Sequence, residues 1–495
     1  MDFVDPKKTF KQKLLLIIGY FLTAIAVVEA TIILVYAAYG YGISSNGQVI
    51  QNGLLYIASQ PNPANIYLNG KLNSSQTNSR LTLPAGIYNI RLTRTGYRSW
   101  TRSIEVDGGV VEHLQYPLLI PKTLITKSVR SLSLRPDIAT QSPNRQWIVI
   151  QKGATTAFEL YNLNNLNSQS MPTPTQISLP AGVASVATSG ESWQVIGWAN
   201  DNQHVLLEHD FNGQTEYIML NIANPSQSFN LSQSLAGYSF TSIQLDNQRY
   251  NQYFLYDSTT GTLKVVSLSN PGTPVRTYKN ILAYDGYDGN TLLYATPVGA
   301  AKGMVNIDEN ISGQVYKIKS FPAGANYLLN MAGYNGVVYV AIGSNNLNKV
   351  FIYQNPVGQL QSSPQQDPVP SQVLFVRNPN YLSFSQNAQY IMTENGQKFA
   401  VYDIFNNHGY NYTTNLPLQA PQQHATWMDG NRLTYISGSK LVMFEFDHNY
   451  RQTLESNDPN YVPFFSGSYH YVYSLSDKGS GLDLTQTALL TPQDL

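Results

Sequence analysis

The stretch from residue 142 to residue 163 reads SPNRQWIVIQKGATTAFELYNL and contains a polar turn followed by two short apolar strands. Variants of this unit, each beginning at a Gly, Asn or Asp turn, return along residues 121–495. The turns lie near Asn144, Asp201, Asn247, Gly289, Gly336, Asn387, Gly430 and Gly467. A spacing of about 40–50 residues with several strands per unit predicts a β-propeller.

The number of turns predicts eight blades, with seven as the alternative. A rod of strand pairs or an array of sandwiches would give a similar period. Closing a propeller usually requires an early strand to pair with the last blade, and residues 122–134 are placed to complete the blade that ends near Leu490. The turn at residues 142–147 resembles the Ser-Pro-Asp-Gly-Lys turn of TolB-like and WD40-like propellers. That resemblance supports the architecture and implies no function.

Residues 53–118 alternate apolar and polar side chains with period two, which indicates half-buried strands. The predicted strands are residues 55–59, 65–68, 88–92 and 103–106. Asn69 and Gly70 predict a two-residue hairpin turn, because both residue types tolerate positive φ. The segment is therefore expected to form a compact β-sandwich.

This sandwich segment resembles the PEGA domain family. The matching residues are Ser59, Pro61, Ala64, Asn69-Gly70-Lys71, Leu83-Pro84-Ala85-Gly86-Ile87-Tyr88 and Gly96-Tyr97. The namesake tetrapeptide departs from the pattern, since Pro61-Asn62-Pro63-Ala64 keeps only its ends. The resemblance implies an extracellular, non-enzymatic β module of bacterial and archaeal surface proteins, with no catalytic residues and no settled ligand.

Residues 14–39 form one apolar run. As a helix this run rises about 39 Å, enough to cross a hydrocarbon core of about 30 Å with some tilt. Lys7, Lys8, Lys11 and Lys13 precede it, whereas no charged residue lies between Glu29 and Lys71. The asymmetry predicts a cytoplasmic amino terminus and an extracellular carboxyl terminus.

A cleaved signal peptide is the alternative, but its apolar core would run about 7–15 residues. Residues 38–40 (Ala-Tyr-Gly) are also a poor cleavage site. The expected organisation is a cytoplasmic tail (1–13), a transmembrane helix (14–39), a spacer (40–52), the sandwich (53–118) and the propeller (121–495). The predicted fold class is an all-β ectodomain behind one N-terminal transmembrane helix.

Glu29 lies near the middle of the apolar run. One acidic residue there costs about 3 kcal/mol on the insertion scale, less than the apolar residues around it return. A carboxylate within a membrane is a functional candidate by default. The ordinary interpretation is a tolerated residue, protonated in lipid or facing a partner helix. The functional alternative is an intramembrane contact, such as self-association through the face of Ala26 and Ala30.

The composition suits an extracellular all-β protein. Charged residues make up only 12%, Tyr is abundant at 35 residues, and the formal net charge is zero. There is no cysteine, which excludes thiolate chemistry, disulfides and cysteine-based metal sites. A disulfide-free surface protein of this size is more typical of bacteria or archaea than of a eukaryotic secretory pathway.

Positive charge is concentrated in the sandwich segment. Residues 71–104 carry six cations and no acid: Lys71, Arg80, Arg91, Arg94, Arg98 and Arg102. They are candidates for contact with anionic headgroups or acidic wall polymer. The alternative is an ordinary solvated strand face. A nucleic-acid partner is not expected, since the ectodomain is near neutral and lies outside the cell.

No catalytic motif was found, and no cofactor or metal is expected. The runs at residues 190–193 and 237–241 lack the final Gly of a nucleophile elbow. His204 and His209 are five residues apart on a predicted strand, so they should point to opposite faces. Residues 306–310 (Asn-Ile-Asp-Glu-Asn) offer oxygens for calcium but lack the glycine and distal Glu of an EF-hand loop.

The aromatic residues leave a binding role open. Trp193, Trp198 and Trp427 are candidates to line a sugar- or peptide-binding face, although most such rings serve as core. The sequence therefore predicts a non-enzymatic envelope protein that binds or scaffolds, with the propeller as its recognition platform. Its expected partner is an envelope polysaccharide or protein. The alternative is a hydrolase or lyase acting on glycan or peptide in the propeller channel.

Overall fold

The computed structural model describes residues 6–43, 47–153, 155–164, 171–414, 424–479 and 481–494. The chain forms two compact units. The first runs up to Lys122 and includes Asp494, and the second is Thr123–Gln493. Each is described separately below.

The N-terminal helix α1 (Pro6–Ala38) contains the predicted apolar run. It begins earlier than that run, so the four lysines lie on its first turns. Residues Phe10–Ala38 have a mean hydropathy of 2.2 and are exposed along their whole length, which makes this helix long and apolar enough to cross a membrane. An apolar helix that packs against no protein surface needs another apolar environment.

Eight strands follow in the first unit. They are β1 (Tyr41–Ile43), β2 (Val49–Ile57), β3 (Asn65–Leu68), β4 (Lys71–Gln76), β5 (Ser79–Pro84), β6 (Gly86–Thr93), β7 (Trp100–Val106) and β8 (Val111–Leu114). One sheet has the order β1-β2-β5, with β8 parallel to β2, and the other has the order β4-β3-β6-β7. Strand β1 pairs with β2, so the predicted spacer at 40–52 contains sheet.

The core of this unit lies between its two sheets. Leu55 on β2, Ile66 on β3 and Ile90 on β6 are fully buried, as the period-two alternation predicts. The predicted hairpin turn joins β3 to β4, with Asn69 at φ 49° and Gly70 at φ 83°. Both values are in the left-handed region that Asn and Gly favour.

The second unit begins with β9 (Ile125–Leu132). Its further strands are β10 (Ala139–Gln141), β11 (Trp147–Gln151), β12 (Ala157–Asn162), β13 (Pro174–Ser178), β14 (Ser192–Trp198), β15 (His204–Phe211), β16 (Gln214–Asn221), β17 (Phe229–Asn230), β18 (Ser242–Leu245), β19 (Gln252–Asp257), β20 (Thr262–Ser267), β21 (Arg276–Tyr278), β22 (Ala283–Tyr287), β23 (Thr291–Thr296), β24 (Met304–Ile311) and β25 (Gln314–Pro322). The list continues with β26 (Tyr327–Tyr334), β27 (Val337–Ser344), β28 (Lys349–Gln354), β29 (Gln372–Phe375), β30 (Tyr381–Phe384), β31 (Tyr390–Asn395), β32 (Lys398–Asp403), β33 (His408–Thr413), β34 (Thr426–Trp427), β35 (Arg432–Ser437), β36 (Lys440–Glu445), β37 (Gln452–Ser456), β38 (Phe464–Phe465), β39 (Tyr471–Asp477) and β40 (Leu482–Ala488). Two short helices interrupt them, α2 (Leu231–Ser234) and α3 (Pro356–Ser362), with 3-10 turns at Pro225–Gln227 and Asp246–Gln248.

These strands form eight four-stranded antiparallel sheets, which are the eight blades of a propeller. Blades 1 to 7 each use four consecutive strands, from β10-β11-β12-β13 to β34-β35-β36-β37. Blade 8 has the order β38-β39-β40-β9, so the first strand of the unit completes the last blade. Ile125 lies opposite Ala488 and Leu132 opposite Leu482. The predicted blade number and closing segment are confirmed.

All eight predicted turns fall between the first and second strands of a blade. Apolar clusters fill the spaces between neighbouring blades, and one of them joins blades 1 and 8 through Ile148, Tyr473 and Leu484. A blade has two faces and no core of its own, so each blade is stable only between its neighbours. Ring closure therefore supplies the last of these buried interfaces.

Candidate functional site

The turns between first and second strands lie at one end of the propeller, here called the hairpin face. In blade 1 the Ser142 hydroxyl accepts the N–H of Trp147 at 3.0 Å and donates to Asn144 Oδ1 at 2.7 Å. Ser385 repeats both bonds with Tyr390 and Asn387 in blade 6. These hydroxyl-closed turns explain why the Ser-x-Asn pattern recurs at this position.

Four blades meet at the hairpin face around Arg145, in a group called the Arg145 cluster (Arg145, Gln386, Met428, Tyr469). The guanidinium lies 4.5 Å from the centre of the Tyr469 ring in blade 8. It donates to Gln386 Oε1 in blade 6 at 3.2 Å and to the Met428 carbonyl in blade 7. Arg145 itself belongs to blade 1, so this one side chain links blade 1 to blades 6, 7 and 8.

Replacing Arg145 by alanine should destabilise the propeller by about 1–3 kcal/mol, because charge-assisted hydrogen bonds and a cation–π contact are lost. The shift in the chemical-denaturation midpoint of the propeller measures the loss. Arg91→Ala is the matched control, since its guanidinium lies 4.2 Å from the Tyr67 ring but is solvent-exposed. Equal shifts for both variants would contradict the bridging role of Arg145.

The eight innermost strands form the wall of the channel. Apart from tyrosines, the one ionisable residue that the described innermost strands carry is Asp285 on β22. Its carboxylate accepts the backbone N–H of Met331, on the innermost strand of the next blade, at 3.0 Å. Burial raises the pKa of Asp285 to about 7. The other residues of these strands are uncharged at neutral pH and include aliphatic, aromatic and polar side chains.

His209 on β15 has two carboxylate partners and lies within blade 2. His209 is fully buried, with Nδ1 2.9 Å from Glu216 Oε1 and Nε2 3.3 Å from Glu191 Oε1. Burial alone would raise the pKa of Glu216, but hydrogen bonds from Ser185, His209 and Asn230 bring it below its usual value. The Trp193 ring stacks on His209 at 3.9 Å. This arrangement ties the strands of blade 2 together.

The candidate metal ligands have separate partners. His204 Nδ1 is 2.6 Å from Asp201 Oδ2, away from the partners of His209. Residues 306–310 lie in strand β24 rather than in a loop, so their side chains alternate between faces. Among the residues that the structure describes, no group of three or more His, Asp or Glu side chains is placed to hold a metal ion.

The three candidate tryptophans join neighbouring elements. Trp198 donates its indole N–H to Thr140 across blades 1 and 2 at 2.9 Å, and Trp427 donates to Ser383 across blades 6 and 7 at 3.1 Å. Trp193 is 2% exposed and donates to Glu191. Their rings serve the blade interfaces.

The six cations of the sandwich are dispersed. Arg80 lies on the outer face of the first sheet opposite Tyr56, and Arg91 lies on the second sheet opposite Tyr67. The remaining four are an exposed residue at the start of β4 (Lys71), an ion-paired residue bound to Asp494 (Arg94), a half-buried loop residue (Arg98) and a residue over the Tyr116 ring (Arg102). The structure therefore brings no single six-residue patch together.

Arg102 illustrates why closeness in sequence did not place these cations on one surface. It lies opposite Ile90, a fully buried residue, so it points to the inner side of its sheet. Glu29 is exposed on α1, on the same helix as Ala26 and Ala30.

Two parts of the chain are similar to known proteins. Residues 52–120 match the PEGA domain family. No curated protein matches the chain. The propeller is similar to solved structures of Hsv2 from Kluyveromyces lactis (10% identity, TM-score 0.39, covering 65% of this chain and 98% of that chain). It is also similar to oligogalacturonate lyase from Vibrio parahaemolyticus (10% identity, TM-score 0.36, covering 74% and 98%).

Proposed function

We propose that this protein is a membrane-anchored, non-enzymatic component of the cell envelope that binds or scaffolds envelope material through its propeller. The observation that carries this proposal is the low charge of the channel wall, because Asp285 is the single acid on the innermost strands that the structure describes. Hydrolases and lyases need convergent acids, bases or nucleophiles around a reacting atom. Asp285 has no such partner on the described innermost strands, and its carboxylate already accepts the Met331 N–H.

The topology of the proposal rests on α1. Its lysines at the amino end and its exposed apolar length support a signal anchor with a cytoplasmic amino terminus. The sandwich and the propeller then lie outside the membrane. The PEGA match at residues 52–120 and the absence of cysteine from the sequence suit that location.

Full-length protein in detergent should capture one component from separated envelope fractions: wall polysaccharide, lipid or protein. Recognition by hydrogen bonds and shape should survive high salt, whereas contact through the cations should not. Arg80→Glu with Arg91→Glu tests the cation contribution without breaking the Arg94–Asp494 ion pair. Failure to capture any fraction, or gradual degradation of one, would refute the proposal and favour the hydrolase or lyase.

Glu29 provides a separate prediction, because we propose that it forms an intramembrane contact between copies of the helix. Glu29→Leu should shift the protein from a dimer or higher oligomer to a monomer, as seen by cross-linking in membranes. Glu29→Gln, which keeps hydrogen-bonding capacity, should retain part of the association. An oligomeric state that is the same in all three proteins would refute the contact.

A further inference from the structure

Blade 5 carries an insertion that sequence reasoning missed. Residues 355–371 connect its third and fourth strands, where blade 4 uses only the two-residue turn Ser312-Gly313. The insertion contains α3, whose Val357 is buried and whose Leu360 is partly buried in the cluster shared by blades 4 and 5. These apolar anchors hold the helix on the propeller.

The return segment of the insertion is fixed by one glutamine. Gln359 Oε1 accepts the backbone N–H of Val369 at 2.8 Å, and its Nε2 donates to the Val369 carbonyl at 3.3 Å and the Gln354 carbonyl at 3.0 Å. Gln361 Nε2 donates to the Tyr316 hydroxyl of blade 4 at 3.1 Å. The insertion is therefore tied at both its own base and the neighbouring blade.

A groove of about 690 Å³ lies between this insertion and the start of β25. This amide groove is lined by Gln314, Tyr316, Lys317, Gln361, Gln366 and Asp367 among others. A second cavity of about 640 Å³ on the other side of the insertion shares Gln361, Gln366 and Asp367 with it. The groove thus continues around the insertion, and its volume lies in the range of about 300–1,000 Å³ typical of ligand sites.

The chemistry of the groove is polar but neutral. Gln314, Gln365 and Gln366 are exposed, and their side-chain amide groups make no hydrogen bond to the rest of the described chain. Each amide offers two donors and one acceptor oxygen, which suits hydroxyl groups that both donate and accept. Lys317 and Asp367 contribute opposite charges, so the groove has no excess charge to attract a polyanion or a polycation.

We infer that the amide groove binds a segment of an uncharged, hydroxyl-rich polysaccharide. This inference rests on the proposed envelope function and names its ligand class and site. The half-buried Tyr316 ring supplies apolar surface beside the amides, as carbohydrate C–H groups require. The groove follows the insertion on both sides, which fits a chain-like ligand.

The test uses full-length protein in detergent and the neutral polysaccharide fraction of its own cell envelope, separated by anion exchange. The protein should bind this fraction, with little change between low and high salt. Gln365→Ala with Gln366→Ala should weaken binding about tenfold, because two ligand hydrogen bonds are lost without breaking one inside the protein. Gln214→Ala, an exposed glutamine at the start of β16 in blade 2, is the matched control and should bind normally.

Each other outcome overturns the inference. Unchanged binding by the double variant would exclude the amide groove as the binding site while leaving the envelope function intact. Binding only to the anionic polysaccharide fraction, or only to an envelope protein, would likewise exclude a neutral glycan and keep the broader function. Binding to no envelope fraction would refute both.

Discussion

Oxidising a variant that carries Ile125→Cys and Ala488→Cys should lock the propeller ring with a disulfide. The two residues lie directly opposite each other on β9 and β40, and opposed residues in an antiparallel pair have Cα atoms about 4.5–5.5 Å apart. Disulfides bridge Cα separations of about 4.4–6.8 Å. Neither substitution removes a side-chain hydrogen bond, and the chain has no cysteine to compete.

The bond should increase the free energy of unfolding by up to about 5 kcal/mol, the upper end of the range that disulfides give. Thermal unfolding with and without reductant measures this difference in one sample. Ser131→Cys with Ala488→Cys is the control, because Ser131 lies opposite Asp483, about 20 Å along the strand from Ile125. Cross-linking of the control, or none in the opposed pair, would contradict the closed eight-bladed ring.

Glu309→Gln should stabilise the propeller at about pH 8 and have little effect at about pH 5. Glu309 is 3% exposed, and burial followed by the negative charge of Asp288 raises its pKa to about 7. The folded protein therefore holds this proton more tightly than the unfolded chain. The contribution to stability is complete below the unfolded pKa of 4.5 and is lost as the pH rises through about 7.

Glu309→Gln cannot ionise at this position. Its free energy of unfolding should therefore exceed that of the wild type by up to about 3 kcal/mol at about pH 8. Denaturation midpoints at both pH values measure the effect. Glu216→Gln is the contrasting control, because hydrogen bonds keep the pKa of Glu216 below its usual value, so this variant should lose stability at both pH values. A pH-independent effect of Glu309→Gln would refute the buried-proton explanation.

Three further carboxyl groups of the propeller should also contribute stability that is lost as the pH rises. Burial raises the pKa of Asp285 and Glu455 to about 7 and that of Asp308 to about 6. Groups with lowered pKa values, such as Glu159 and Glu216, are ionised throughout the interval between pH 5 and pH 8. These four carboxyl groups therefore favour the folded propeller more near about pH 5 than near about pH 8, whereas burial lowers the pKa of His448 and His470, which contribute in the opposite direction.

The blade count was readable from the sequence because seven of the eight first turns contain a residue in the left-handed region. Arg145, Asn202, Asp288 and Ala388 all have φ between 54° and 62° there, and the turns around them are rich in Gly, Asn and Asp. The closing strand followed from the rule that an early strand usually pairs with the last blade of a propeller. Innermost strands of two residues, such as β34 and β38, are too short for any periodic signal.

The candidate sites were harder to predict. Alternation shows that Arg80 and Arg91 face outward, but it does not show that they lie on different sheets. Arg145 was visible as part of a turn, whereas its contacts with blades 6, 7 and 8 depend on ring closure. The insertion at residues 355–371 contains a helix too short for an amphipathic pattern, and its run of glutamines was the one available signal.

The pairing of β9 with β40 also governs how the molecule is made. Strand β9 is synthesised before the rest of the ring that it closes, and its partner β40 follows about 350 residues later. At about 5–20 residues per second, β9 waits on the order of tens of seconds with an unpaired edge. Unpaired strand edges are templates for aggregation. The propeller should thus resist protease only after β40 has been synthesised, because a chain that stops before residue 482 leaves blade 8 without its third strand.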